Sequence, residues 1–172
     1  MKILTLSNSR YNRTNASSSI VVVPSGTQKA IFGYGQTSTL VSMTNLVSNI
    51  GVVASDTTGV GTARNDIAAA GYGTDKAIFG YGSTGANVSM TNLVSNTGVV
   101  ATDTTGVGTA RSGPAAAGYG SDKAIFGYGY SNALGVAVSM TNLVNNTGVV
   151  ATDTTGVGTA RWQLAAAGYT AT

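Results

Sequence analysis

Residues 29–35 read Lys-Ala-Ile-Phe-Gly-Tyr-Gly, and the same seven residues recur at 76–82 and at 123–129. The interval is 47 residues both times. After each block the chain continues through Val-Ser-Met-Thr-Asn-Leu-Val and Gly-Val-Val-Ala to an Asp-Thr-Thr-Gly-Val-Gly-Thr-Ala-Arg segment. Self-similarity at such a period is typical of repeat proteins, in which each unit buries its faces against its neighbours.

The repeats define the domain organisation. Residues 1–17 match no part of the repeat and are predicted to be an N-terminal arm, while 18–172 form one repeat domain. Its parts are repeats of about 18–64, 65–111 and 112–161 and a closing strand at 162–172. A small-residue strand occurs in four copies, at 20–23, 67–72, 114–119 and 164–169, whereas every other segment occurs in three.

Composition predicts an all-β fold with four short strands in each repeat. Val, Ile, Thr and aromatic residues alternate with Gly, Asn and Asp, and no long helical periodicity is present. The strands expected are a small-residue strand of the type Pro114–Tyr119, followed by strands of the type Lys76–Tyr81, Val88–Ser95 and Gly98–Asp103.

Several function classes are disfavoured by composition. The 172 residues include no Cys, no His and no Glu, so thiolate chemistry, the usual neutral-pH base and common metal ligands are missing. The net charge of +3 comes from scattered residues with no Lys/Arg run, which argues against nucleic-acid binding. No signal peptide or transmembrane segment is evident, so export and membrane insertion are not expected. We expect a protein that is not an enzyme and binds no cofactor or metal.

The repeat resembles the kelch type of β-propeller blade. The resemblance lies in Arg111 followed by the small residues 115–117, in the glycine-bearing strand end 126–129, and in the return to Arg161. It differs from kelch in its split glycine pair and in lacking Tyr and Trp in the third and fourth strands, so the regulator-of-chromosome-condensation type stays an alternative. The resemblance implies a propeller of about 47-residue, four-stranded blades, three per chain.

Three blades are too few for a closed propeller, for which 4–8 are typical. We therefore expect a homo-oligomer, preferably two chains forming a six-bladed ring. The surplus small-residue strand at 165–169 is the preferred segment for completing a blade of a neighbouring chain.

Residues 89–111 are also similar to tandem repeats of virion proteins of tailed bacteriophages, particularly marine and cyanobacterial phages. This resemblance implies a location in the virion, with other virion proteins as partners.

Two windows vary between the otherwise near-identical repeats. The post-Tyr windows, which follow Gly-Tyr-Gly, are 36–40, 83–87 and 130–137, and the post-Arg windows are 65–67, 112–114 and 162–164. In an antiparallel meander both lie at the same rim, which predicts a recognition face; free drift of loops is the competing interpretation. The candidate ligand-binding residues are Gln36, Thr37, Asn65, Asp66, Ser83, Asn87, Ser112, Tyr130, Asn132, Trp162 and Gln163.

Charged residues that recur in every repeat are expected to be structural. Asp and Arg eight residues apart predict a bidentate latch at the end of the fourth strand or across to the neighbouring repeat. These residues are Asp56, Arg64, Asp103, Arg111, Asp153 and Arg161. The alternatives are a ring of charge around a channel and calcium coordination by Asp103 with Thr104 and Thr105. The recurring Phe and Met residues are expected to form the apolar layer between repeats.

Together these features predict a non-enzymatic phage structural or adhesion protein that presents a variable face to a host surface, with glycan as the candidate ligand. The alternative is an architectural module that joins or caps virion parts and binds no host ligand.

Overall fold

Short antiparallel strands make up the regular structure of this chain. The computed structural model describes residues 28–170, and no helix, and so none able to cross a membrane, occurs in that range. The strands are β1 (Ala30–Gly33), β2 (Thr44–Val47), β3 (Ala68–Tyr72), β4 (Lys76–Gly80), β5 (Thr91–Val94), β6 (Ala115–Tyr119), β7 (Lys123–Gly127), β8 (Tyr130–Ser131), β9 (Val136–Ala137) and β10 (Thr141–Val144). The predicted all-β class is confirmed.

Each complete repeat is an antiparallel meander. In the second repeat β4 lies between β3 and β5, and in the third β7 lies between β6 and β10. The first repeat contains the pair β1–β2. Its predicted small-residue strand at 20–23 and the predicted arm at 1–17 lie outside the described residues. The longer post-Tyr window of the third repeat forms the hairpin β8–β9.

The predicted fourth strand does not form a regular ladder. Two isolated bridges join it to β5, Thr91 with Thr104 and Val94 with Val100. The two bridges are three residues apart on β5 but four residues apart on the partner segment. The partner segment therefore contains one extra residue, which interrupts the ladder as a β-bulge does. The first and third repeats show the same offset.

The predicted strand Lys76–Tyr81 also ends one residue early. Tyr81 has a φ of 61°, and Tyr34 and Tyr128 have φ values of 63° and 64° at the equivalent positions. A left-handed residue cannot continue a strand, so the chain turns at the tyrosine. The side chain of Tyr81 therefore leaves the strand and packs between repeats.

The core lies between successive repeats. Phe126 of the third repeat is fully buried, and its ring meets that of Tyr81 edge-to-face at a centroid distance of 5.1 Å. Phe79 and Tyr34 form the same pair one repeat earlier, at 5.2 Å. The expected apolar layer thus holds for these phenylalanines. The recurring methionines are only partly buried and lie outside the two core clusters.

The small-residue strands of neighbouring repeats approach one another closely. A Cβ at Gly118 would lie 3.3 Å from the carbonyl oxygen of Gly71, and one at Gly168 would lie 2.7 Å from that of Gly118. The amide of Gly73 donates to the carbonyl of Asp122 at 2.8 Å. The small-residue segments of successive repeats therefore pack against one another at equivalent glycines. Whether they belong to a closed propeller stays a prediction.

Candidate recognition face and inter-repeat latch

The post-Arg and post-Tyr windows of one repeat lie side by side. Asn65, in the first post-Arg window, exchanges two backbone hydrogen bonds of 3.0 and 2.9 Å with Ser83, in the second post-Tyr window. Ser112 and Tyr130 make the same exchange within the third repeat. Antiparallel strands alternate direction, so both kinds of window reach one rim, as expected from the sequence.

The post-Arg windows also form a hydrogen-bonded column. The amide of Gly113 donates to the carbonyl of Asp66 at 2.8 Å, and the amide of Gln163 donates to the carbonyl of Gly113 at 2.9 Å. All three residues have positive φ, between 50° and 57°. The column gives each variable window a constant backbone position while its side chains differ.

Two amide side chains tie the windows together. Asn65 Nδ2 donates to Gln36 Oε1 at 2.9 Å, and Asn87 Nδ2 donates to the carbonyl of Tyr130 at 2.6 Å. These polar groups already have partners within the protein. Asn65 and Asn87 therefore have a structural role, and they remain candidates for ligand binding.

An open cleft of about 250 Å³ lies where windows 65–67, 112–114, 130–137 and 162–164 meet. Its lining residues are Asp66, Ser112, Gly113, Tyr130, Trp162 and Gln163. The rings of Tyr130 and Trp162 meet edge-to-face at 5.6 Å, and Trp162 remains 51% exposed. The cleft therefore combines an accessible aromatic wall with a carboxylate, a hydroxyl and an amide.

The other candidate ligand-binding residues are not in this cleft. Those residues are Gln36, Thr37, Asn65, Ser83, Asn87 and Asn132. Thr37 lies in an exposed turn, where its hydroxyl contacts the carbonyl of Thr39 at 3.4 Å, and Asn132 is exposed in the β8–β9 hairpin. The cleft therefore contains five of the predicted ligand-binding residues, and Gly113 is a further residue of its lining.

Two of the three periodic arginines, Arg64 and Arg111, lie between repeats and are completely buried. Arg64 Nε donates to the carbonyl of Tyr81 at 2.9 Å, and its Nη2 donates to Asn92 Oδ1 at 2.7 Å. Its Nη1 donates to the carbonyl of Thr62 at 3.0 Å, and the guanidinium lies 4.4 Å from the ring centroid of Tyr34. One side chain thus joins its own repeat to the next.

Asp103 completes this latch from the following repeat. It accepts hydrogen bonds from the Thr62 amide and hydroxyl, at 3.0 and 2.6 Å to Oδ2, and from Asn92 Nδ2 at 2.9 Å. Its distance to Arg64 Nη1 is 3.8 Å. The expected bidentate carboxylate–guanidinium bond is therefore wrong in detail. The carboxylate instead holds Thr62 in place, and Asn92 bridges it to Arg64, which pairs across repeats and not with Asp56.

Electrostatics favour the ionised form of Asp103. Burial raises its pKa, but hydrogen bonds from Thr62 and Asn92, with the positive charge of Arg64, outweigh burial and hold the pKa below its ordinary value. Asp153 has the corresponding arrangement with Thr109, Asn142 and Arg111, and its pKa is also lowered. Both latches therefore contain a carboxylate that is more stable ionised in the folded state.

Burial raises the pKa of Tyr81 to about 12, because desolvation of the phenolate exceeds the opposing effect of Arg111. The hydroxyl of Tyr81 donates to the carbonyl of Val107 at 3.2 Å, and the guanidinium of Arg111 lies 4.0 Å from its ring centroid. A non-glycine residue in the left-handed region costs about 1–2 kcal/mol. These contacts and the pairing with Phe126 hold the tyrosine there.

Sequence reasoning missed the polar partners of the latch. Asn92 and Asn142 are fully buried, and Thr62 and Thr109 bind the aspartates, yet none of the four was singled out from the sequence. These asparagines and threonines recur at the same position of every repeat, as the arginines do, and this recurrence indicates a structural role. Asn and Thr were overlooked because they carry no charge.

No protein-family model and no curated protein matches the sequence. Within residues 28–170, no group of three or more Asp, Glu, His or Cys side chains is placed to hold a metal ion.

Proposed function

We propose that this protein is a non-enzymatic recognition protein of a phage virion, which uses its variable face to bind carbohydrate on a host surface. The supporting observation is the cleft lined by the variable windows. There windows 130–137 and 162–164 supply Tyr130, Trp162 and Gln163, and window 65–67 supplies Asp66. The virion setting rests on the resemblance of residues 89–111 to phage repeats.

The chemistry of the cleft suits a sugar. Aromatic faces pack against the C–H faces of pyranose rings, while carboxylate, amide and hydroxyl groups hydrogen-bond sugar hydroxyls. Trp162 is half exposed, so a bound ring would remove apolar surface from water. Asp66 is the one acidic residue of the cleft, too few for the carboxylate pair of most glycosidases. Binding without hydrolysis is the function that these groups support.

The experiment is binding to immobilised bacterial-surface glycans. Wild-type protein is expected to bind a subset of them, and Trp162→Ala is expected to weaken that binding about tenfold, corresponding to about 1.4 kcal/mol. Val99→Ala is the matched control, because Val99 is 65% exposed and lies in the turn at the opposite end of β5.

Exchange of windows provides a second test. Replacing 162–164 by the sequence of 112–114 removes the tryptophan and glutamine while keeping a window that the fold already accepts. Binding is expected to be lost. An unchanged glycan profile, or no glycan binding by the wild type, would contradict the proposal and favour the architectural module.

A further inference from the structure

The two end faces of the repeat stack carry complementary halves of the inter-repeat interface. We call the first the leading face, made by Phe32, Asn45, Val53 and Asp56 of the first repeat. The second is the trailing face, made by Gly127, Tyr128, Thr159 and Arg161 of the third. We propose that the trailing face of one copy of this chain binds the leading face of a second copy, head to tail. This inference does not depend on the proposed carbohydrate binding.

The leading face exposes groups that are buried in the other repeats. Phe32 is 61% exposed, whereas Phe79 and Phe126 are 3% and 0% exposed. Val53 is 53% exposed, whereas Val100 and Val150 pack against the core clusters. The apolar surface of this face therefore lacks the neighbour that its counterparts have.

The polar part of the leading face is already arranged for a partner. Asn45 Nδ2 donates to Asp56 Oδ1 at 2.7 Å and to the carbonyl of Ala54 at 3.1 Å. Asn92 makes the same two contacts, with Asp103 and Ala101, and in that repeat the pair receives Thr62 and Arg64. The pair Asn45–Asp56 is therefore a preformed acceptor for a threonine and an arginine.

The trailing face presents the matching donors. The guanidinium of Arg161 lies 4.3 Å from the ring centroid of Tyr128, and its Nη1 donates to the carbonyl of Thr159 at 3.0 Å. These contacts reproduce those of Arg64 and Arg111 within their own repeats. In the described part of the chain, Arg161 makes no hydrogen bond equivalent to those that Arg64 makes to the next repeat. It is preorganised and exposed.

Gly127 leaves room for the phenylalanine of a second copy. A Cβ at Gly80 would lie 2.7 Å from Phe126, whereas one at Gly127 would meet only Thr141, at 3.3 Å. Residues 165–169 are exposed and belong to no strand, and Tyr169 is 93% exposed. The trailing face thus offers a site for an aromatic ring and an exposed cation.

The choice of a second copy over residues 1–27 follows from the latch chemistry. Ser17 stands 47 residues before Arg64, so the arm has no arginine at the position the latch requires. Thr159 and Arg161 of a second copy have the same residue types and spacing as Thr62 and Arg64. They can therefore bind Asn45 and Asp56 as Thr62 and Arg64 bind Asn92 and Asp103. Association would also place window 162–164 beside window 36–40 and extend the recognition face across the contact.

The test is native mass by size exclusion with light scattering on the full chain. Wild type is expected at twice the chain mass of 17.1 kDa or a higher multiple, with a dependence on concentration. Arg161→Ala and Phe32→Ala are each expected to reduce the mass to that of one chain. Both residues are exposed, so far-UV circular dichroism of each variant should match the wild type.

Mixing the two variants identifies the head-to-tail geometry. Each variant retains the face that the other has lost, so an equimolar mixture is expected to recover a two-chain species. Wild type that stays at the mass of one chain at high concentration would overturn the proposal, as would variants that keep the wild-type mass. So would a mixture that stays at the mass of one chain.

Discussion

Arg111 and Arg161 occupy the same place in the repeated sequence but differ in burial and in their contacts to a following repeat. Arg111 is 0% exposed and donates to Tyr128, Thr109 and Asn142. Arg161 is exposed, and among the described residues its guanidinium donates only to the carbonyl of Thr159. Position in the stack decides the difference, because the next repeat supplies the carbonyl and the amide that enclose the guanidinium.

This contrast predicts unequal costs for the same substitution. Arg111→Ala is expected to lower the free energy of unfolding by about 3–5 kcal/mol, since it leaves buried acceptors unpaired. Arg161→Ala is the matched control and is expected to change it by less than about 0.5 kcal/mol in dilute protein, where no assembly contributes. Urea unfolding of both variants measures the two values. Equal losses would contradict the assignment of the latch to the space between repeats.

At the scale of the element, the second strand of each repeat needs a glycine at its end. Gly33 and Gly80 lie under the phenylalanine of the following repeat, and a Cβ there would come within 3.0 Å and 2.7 Å of that ring. Close packing of strand against ring therefore depends on the missing side chain. The recurring tyrosine that follows then turns the chain and packs on the same ring.

Gly80→Ala is consequently expected to destabilise the protein by about 1–3 kcal/mol through overpacking. Gly127→Ala changes the equivalent residue where no phenylalanine is in contact, so it is expected to cost much less in dilute protein. Thermal unfolding of the two variants checks the difference. If Gly127→Ala were as destabilising as Gly80→Ala, packing by the next repeat would not be the reason for the glycine.

At the scale of the whole molecule, stability is distributed over interfaces between repeats. Each sheet has only two or three strands, and in repeat proteins the contacts between neighbouring units add to the stability of each unit. The latches around Asp103 and Asp153 connect the three repeats at two such interfaces. Acid should therefore weaken the molecule at both interfaces together.

The expected pH dependence follows from the lowered pKa values of these two carboxylates. A carboxyl with a lower pKa in the folded state stabilises it fully above the unfolded value of 3.8, and this stabilisation is lost as pH falls through the folded pKa. Unfolding free energy should thus decrease as pH falls below about 4. The double variant Asp103→Asn/Asp153→Asn should be less stable at neutral pH and show a shallower acid decrease; an unchanged acid decrease would contradict this account.

The sequence by itself determined the repeat and the all-β class, and it predicted the shared rim of the two variable windows and a structural role for the periodic charges. These conclusions depend on period, alternation and composition, which are local properties of the chain. The bulged fourth segment, the left-handed tyrosine and the true partners of Arg64 were decided by tertiary structure. Their physical reason is that a guanidinium and a phenol are buried only where the next repeat supplies the missing ring, carbonyl and amide.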